Sequence, residues 1–399
     1  MAPPYGIGSM SLRKLLDRKP QFGVFFSFCI YSFSFGALFP RIGDMQLQMG
    51  ISQSTLGLSI IGIALGLQVS LFFAGRLFDR LGFRLVMLAG IPMISLTEVI
   101  AATATGPVFF FTTLFFTGLA LGIIEVAVNV EADRVEEKIG KRIMNRSHAF
   151  WSFGFFMAGL FGALIAQWGL SAYHHLLGFL VLTTLITALV FTRYQPAQKR
   201  SSDTKEEDHV RFAKPTLPIL GLVALSVSAM LLEGAGIDWS VIFMRDVFAT
   251  QPIISGLALT LFALSQFAVR FVADHYVEQF GPDVITKLSL SVLLAGVLAI
   301  TFSQIALVAL LGFAMLGAGS AVVFPLAISA AAQLQDRPSA VNVASFAQLS
   351  FVVFLLAPPI LGTVAEYFGI RTSFGISLPL IALSFLFIGA LRVAPDNQN

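Results

Sequence analysis

FFTGLALGIIEVAVN, residues 115–129, is an apolar run interrupted by a single acid, Glu125. Read as a helix, it places Gly118, Gly122, Glu125 and Asn129 at i, i+4, i+7 and i+11, on one face. An acid at membrane depth costs at least ~2.5 kcal/mol on insertion scales, so this face must look into protein or a wet cavity. The rest of the 399-residue chain reads as the scaffold that supplies the cavity.

Composition sets the class. The chain is 56% hydrophobic and 12% charged, with a mean hydropathy of +0.84, outside the range of soluble domains. It is a polytopic membrane protein. The lone Cys29 lies in an apolar run, which excludes a disulfide framework and a cysteine metal site. His148, His174 and His175 are too few and too scattered for metal ligation. A sequence pI near 9.1 does not imply a nucleic-acid partner, because the basic residues sit in short loops where they act as topology signals. No G-x-x-x-x-G-K-[ST] run is present and no cofactor is expected, so the sequence offers no nucleotide-binding module as a power source.

The first apolar run, Phe22 to Phe39, follows Arg13, Lys14, Arg18 and Lys19 and closes on Pro40 and Arg41 without a small-residue cleavage site, so it reads as an uncleaved helix. Spans long enough for a bilayer core follow at about 54–74, 85–105, 108–130, 147–168 and 172–192. A polar stretch, Arg193 to Pro215, reads as a solvated linker. Six more spans fit at about 217–242, 253–272, 284–303, 305–330, 341–364 and 370–392. With both termini cytoplasmic, all of the 25 Lys and Arg except Arg41, Arg245 and Arg371 fall in inner segments. The expected fold is all-α, with twelve transmembrane helices in two pseudo-symmetric six-helix bundles. Residues 1–20 form a cytoplasmic N-terminus, 21–193 the first bundle, 194–216 a cytoplasmic linker, 217–392 the second bundle and 393–399 a cytoplasmic C-terminus.

The halves repeat. Gly57 and Gly256 head the second helix of each half, and GRLFDRLG from Gly75 corresponds to DHYVEQFG from Asp274, both at an offset of 199 residues. GALIAQWG from Gly162 matches GTVAEYFG from Gly362 at an offset of 200. Paired halves of this kind hold substrate between them near the midplane and give alternating access by rocking.

The run Gly75-Arg76-Leu77-Phe78-Asp79-Arg80-Leu81-Gly82-Phe83-Arg84 resembles the loop 2–3 signature of the major facilitator superfamily, G-x-x-x-D-R-x-G-x-[RK]. The resemblance in architecture covers the whole chain. It implies an inner-gate role for Gly75, Arg76, Asp79, Arg80, Gly82 and Arg84: Asp79 caps a neighbouring helix while Arg76 and Arg80 pair with acids across the inner face. Charges that merely keep the loop in the cytosol are the plain alternative. Within the superfamily, Gly122 to Asn129, followed by Asn145-Arg146-Ser147-His148-Ala149-Phe150-Trp151-Ser152-Phe153-Gly154, resembles the fucose-permease-like sugar/proton symporters. That resemblance makes Glu125 a proton carrier or sugar-hydroxyl acceptor and brings Asn129, His148 and Trp151 to the substrate. Those symporters carry a further acid in helix one, whereas Ser34-Phe35-Gly36-Ala37 has none. The stretch Glu233 to Ser240 is similar to a bacterial subgroup of permeases.

In this superfamily helices one, four, seven and ten line the cavity, so Glu233 of the seventh span shares water with Glu125, and repulsion between them favours proton binding. A buried arginine partner is the structural alternative for either glutamate. Asp238 turns away from Glu233 toward the outer end, where Arg41, Arg245 or Arg371 can pair with it; an Asp238–Arg41 outer gate is expected, with a plain interfacial charge as the alternative. Trp239, Asn342 and Gln348 complete the cavity candidates. Glu98 is expected to snorkel or pair, and Pro325, Pro358 and Pro359 to interrupt helices ten and eleven. The reading is a proton-coupled symporter of a small polar solute, a sugar or related metabolite, working as a monomer in the inner (plasma) membrane among lipid. A proton antiporter exporting drugs or metabolites is the rival. A non-transporting sensor would append a signalling domain, and a membrane enzyme would need a nucleophile with a base or a metal triad, which Glu125 and distant histidines do not make.

Overall fold

Inside a bilayer every backbone N–H and C=O must find a partner within the protein, and long helices meet that demand segment by segment. The computed structural model describes residues 19–198 and 214–392. Arg13, Lys14 and Arg18, the linker bases Lys199, Arg200, Lys205 and Arg211, and residues 393–399 lie outside them. The described chain is helical: α1 (Pro20–Gly36), a 3-10 turn at Phe39–Arg41, α2 (Ile42–Met49), α3 (Gln53–Ala101), α4 (Pro107–Ile139), α5 (Met144–Gln167), α6 (Ala172–Phe191), α7 (Leu217–Phe248), α8 (Pro252–Phe280), α9 (Pro282–Phe302), α10 (Ala306–Ser320), α11 (Val323–Gln333), α12 (Ser339–Phe368), α13 (Ile370–Gly375) and α14 (Leu378–Leu386).

Local chemistry explains the boundaries. Proline opens α1, α4, α7, α8 and α9, where its missing N–H would be unpaired anyway. Ser52 caps α3 and Ser171 caps α6 through their side-chain oxygens. At Gly82 the backbone takes φ 73° and ψ 161°, which a residue with a Cβ resists, and α3 breaks there into two limbs. Counting those limbs, and α1–α2, α10–α11 and α13–α14 as one crossing each, the described residues make twelve apolar crossings. They fall into two halves of six, as the internal repeat implies.

Several helices outrun their expected spans. The first continues past Pro40 into α2. Residues 131–139, beyond the expected span 108–130, extend α4 to Ile139. The tenth span breaks at Ala321 and Val322, ahead of Pro325, whereas α12 runs unbroken through Pro358 and Pro359. A helix surrounded by neighbours tolerates such prolines because those neighbours satisfy the freed carbonyls.

The halves meet along α3–α12 and α5–α8. Gly57 faces the backbone of Pro358 and Pro359, and its repeat partner Gly256 faces Ala163, so the paired glycines serve equivalent contacts. Polar bonds seal the same end: Gln53 donates to Asp246 at 3.1 Å, the Ser54 amide to Glu366 at 2.9 Å, and the Ile253 amide to Gln167 at 3.2 Å. Arg245 donates to the Gly43 carbonyl at 2.8 Å and to Gln46 Oε1 at 2.9 Å. At the basic end the halves part around a cavity of about 1000 Å³, to which the first half contributes Glu136, Lys141, Arg142 and Arg146, and the second Asp274 and Glu278.

A side chain at Gly57 has no room while the far end is sealed. Gly57→Leu is expected to lengthen the distance between spin labels at the exposed Leu47 and Gln251 in a Cys29→Ser background, read by pulsed electron resonance. An unchanged distance would show that the seal does not depend on this contact.

Candidate functional site

Two polar clusters occupy the interior, one in each half. In the first, the Tyr31 hydroxyl of α1 donates a short hydrogen bond to Glu125 Oε2 on α4. One turn on, Asn129 Nδ2 donates to Glu125 Oε1 at 3.0 Å and to the Glu125 carbonyl at 2.8 Å. The i, i+4 spacing read from the sequence sets this second contact. Glu125 thus holds neutral donors on both oxygens. The Trp151 indole is a further hydrogen-bonding neighbour of Tyr31. Ser32 donates to the Trp151 carbonyl at 2.7 Å, and Gly154 lets α5 approach the Cys29 carbonyl closely, so α1 and α5 are locked together.

The second cluster surrounds Glu233 on α7. Its Oε1 accepts from Gln266 Nε2 at 2.8 Å and from Arg270 Nη2 at 2.9 Å. The two charged side chains are only 16% and 14% exposed, so this is an interior ion pair rather than a surface one. Arg270 also donates from Nε to the Ala321 carbonyl at 3.2 Å, where α10 ends, and from Nη1 to Ser152 Oγ on α5 at 3.0 Å. The guanidinium fork therefore ties three elements of the second half to the first half. His148, packed edge-on against Phe28, lies within the electrostatic reach of both Glu125 and Arg270.

Glu125, Asn129, His148 and Trp151 come together, and Arg270 links Glu233 to Ser152 beside Trp151; Glu125 and Glu233 share no direct hydrogen bond. Other expectations are corrected. Arg41 pairs with Asp44 at 2.7 Å and donates to the Leu170 carbonyl, not to Asp238. Arg245 pairs with Asp246, and Arg371 donates to the Ile300 and Thr301 carbonyls beneath Phe243 and Phe248. No Asp238 gate forms among the described residues. Trp239 is fully buried against Gly362, with its indole N–H unpartnered. Asn342 stands in the first turn of α12 at the basic end, accepting from Arg337 at 2.8 Å and donating to Asp336 at 2.8 Å in the preceding loop. That amide, with Arg337, holds the Asp336 carboxyl below the usual carboxylate range. Gln348 is half-buried on α12.

In the loop motif, Gly75, Arg76, Asp79, Arg80, Gly82 and Arg84 are exposed, and the loop is anchored by its apolar residues. Phe78 lies 5.2 Å beneath the Arg134 guanidinium, and Phe83 packs on Phe191 and Tyr194. Tyr194 donates to the buried Glu131 at 2.8 Å; burial and that carboxylate push its phenol well above its ordinary range, so it stays a donor.

Tyr31, Ser152, Gln266 and Arg270 escaped the sequence reading. Gln266 and Arg270 stand at i and i+4 in an apolar run, the same signature that singled out Glu125 and Asn129. The charge count places Arg270, near the end of the expected span 253–272, among the inner segments, whereas α8 continues two turns past that span to Phe280.

Comparisons with known proteins agree with this architecture. The family profile described as Major Facilitator Superfamily matches residues 24–347. The chain is 28% identical over 378 residues to the uncharacterized transporter y4wD of Sinorhizobium fredii, covering 93% of this chain and 98% of that one. It is 23% identical over 318 residues to the multidrug resistance protein MdtL of Klebsiella pneumoniae, covering 76% and 80%. The solved structure of a D-xylose-proton symporter shares the fold, with a TM-score of 0.71 at 12% identity over 95% of this chain and 98% of that one.

Removing one partner of an interior ion pair costs about 3–5 kcal/mol because the other charge is stranded. Arg270→Met should therefore lower the thermal midpoint of the purified protein, read by scanning fluorimetry. Adding Glu233→Gln should restore most of it, since the amide can still accept from Gln266.

Proposed function

The chain belongs to the major facilitator superfamily, and from that premise we propose that it is a proton-coupled secondary-active transporter, a symporter of a small polar solute. The observation that carries this reading is the Glu125 carboxylate, set within an apolar helix and held by neutral donors rather than a cation. Glu233 has its charge balanced by Arg270, which suits it to linking the halves more than to carrying a proton alone. The distribution of Lys and Arg supports an inner-membrane protein with both termini cytoplasmic. In that orientation the chain is sealed toward the outside and open toward the cytoplasm.

The mechanism follows from what one proton does to Glu125. A carboxylate accepts from Tyr31 and Asn129 together; a carboxylic acid has an O–H of its own to donate, so one of these contacts must turn. Protonation from outside therefore loosens α1 from α4 as the solute binds, and proton loss to the cytoplasm restores the contacts seen here. Rocking carries the solute past the Arg270–Ser152 bridge. It also brings Lys141, Arg142 and Arg146 toward Asp274 and Glu278 to close the basic end. A second reading, proton antiport with export, is favoured by the similarity to MdtL.

The test is solute-driven proton movement in liposomes with an enclosed pH dye, using sugars, organic acids, amino acids and lipophilic cations. For symport, solute uptake moves protons with it; Glu125→Gln abolishes the proton signal, and Tyr31→Phe weakens it by roughly tenfold, one donor to a charged group being worth about 1.5 kcal/mol. Proton movement opposed to the solute indicates antiport. Transport without proton movement, indifferent to Glu125→Gln, sinks the coupling assignment.

A further inference from the structure

Among the described residues, Glu98, Glu125, Glu233 and Asp238 are acids within apolar spans that take no part in the sealed-end or basic-end contacts. Glu125 is satisfied by Tyr31 and Asn129, and Glu233 by Gln266 and Arg270. Glu98 is sealed in the packing of α3 at 1% exposed, out of reach of any solute. Asp238 differs from all three. Like Glu98 it has no hydrogen-bond or ion-pair partner among the described residues, but its side chain is only half-buried, with accessible space beside it.

Helix geometry identifies that space. Gly234, Asp238, Val241 and Arg245 stand at i, i+4, i+7 and i+11 on α7, one face of the helix. The Arg245 end of this face bonds Gly43 and Gln46 of the first half. At the other end Gly234 meets open space, its nearest neighbour being the Ala357 methyl 4.0 Å from where a Cβ would stand. The face between them looks into the gap between the halves. At a rise of about 1.5 Å per residue, Asp238 lies roughly 10 Å inside the seal made by Arg245 and roughly 7 Å short of the level of Glu233. Along α7 it therefore stands between the Arg245 seal and the Glu233–Arg270 pair.

A carboxylate on a membrane-spanning helix with no donor and no cation is left uncompensated, and a cation delivered from outside the protein completes it. We propose that Asp238 receives the ammonium group of a cationic organic solute, making protonated amines the preferred substrate class. The inference rests on the reading of the chain as a transporter whose solute passes between the halves. Arg245 stands two turns away but is already neutralised by Asp246, so it does not compete for Asp238.

The experiment measures binding to the purified full-length protein in nanodiscs for amines paired with neutral isosteres: glucosamine with glucose, serinol with glycerol, and 2-phenylethylamine with 2-phenylethanol. The expected result is that at least one amine binds tenfold or more tighter than its partner. Asp238→Asn and Asp238→Ser should abolish that preference, whereas Asp238→Glu should keep it within a few fold. Wild-type protein that binds no amine better than its isostere overturns the proposal, as does a preference that survives in both neutral variants. The liposome assay separates this from failure of the transport reading. Neutral solutes that move protons without an amine preference leave the symporter intact and sink the Asp238 assignment. Amine binding lost in the neutral variants, without proton movement, upholds Asp238 and sinks proton coupling.

Discussion

A carboxylate carried into the hydrocarbon layer is stabilised by donors from other helices, because neither lipid nor its own helix backbone supplies them. That demand organises the middle of the protein. Glu125 draws Tyr31 across from α1, and the Ser32–Trp151 bond on the same helix fixes α5 beside it. Glu233 draws Arg270 from α8, whose fork then has donors left over for Ala321 and for Ser152 of the opposite half. Each acid thereby holds helices together that apolar packing alone would leave free to slide, since packing between helices in lipid has little hydrophobic driving force.

Much of this was legible in the sequence because it is local. Hydropathy located the crossings, the i, i+4 spacing placed Asn129 on Glu125, and the repeat singled out Gly57 and Gly256, which bear the equivalent contacts between the halves. Pairings between distant helices were not legible. Arg41 lies near Asp238 in any topology diagram, yet Asp44 is one helical turn away on its own segment and wins the guanidinium. Charge counting assigned Arg270 to the cytosol because it treats basic residues near span ends as loop residues, and it cannot register an acid waiting on the next helix. Asn342 reads as a cavity residue in the sequence, but it stands within the first turn of α12, where loop carbonyls and the Asp336 carboxylate take its amide.

The two ends of the molecule are built differently. At the sealed end, glycines bring backbone against backbone and a few polar bonds between neutral and charged groups finish the closure. At the basic end, side chains of opposite sign line one wide cavity. Short-range packing holds only when surfaces fit, whereas charge acts across a gap, so the first closes abruptly and the second draws the halves together from a distance.

The Arg270 bridge has a mechanical consequence. Its bonds to Glu233 and Ala321 stay within one half, and only the bond to Ser152 crosses to the other. When the halves turn against each other, strain therefore concentrates on the contact with a neutral hydroxyl, worth about 2 kcal/mol, and spares the ion pair. The guanidinium behaves as a fuse: the weakest link parts first, at a fixed place, and the charges it carries are never separated by the stroke.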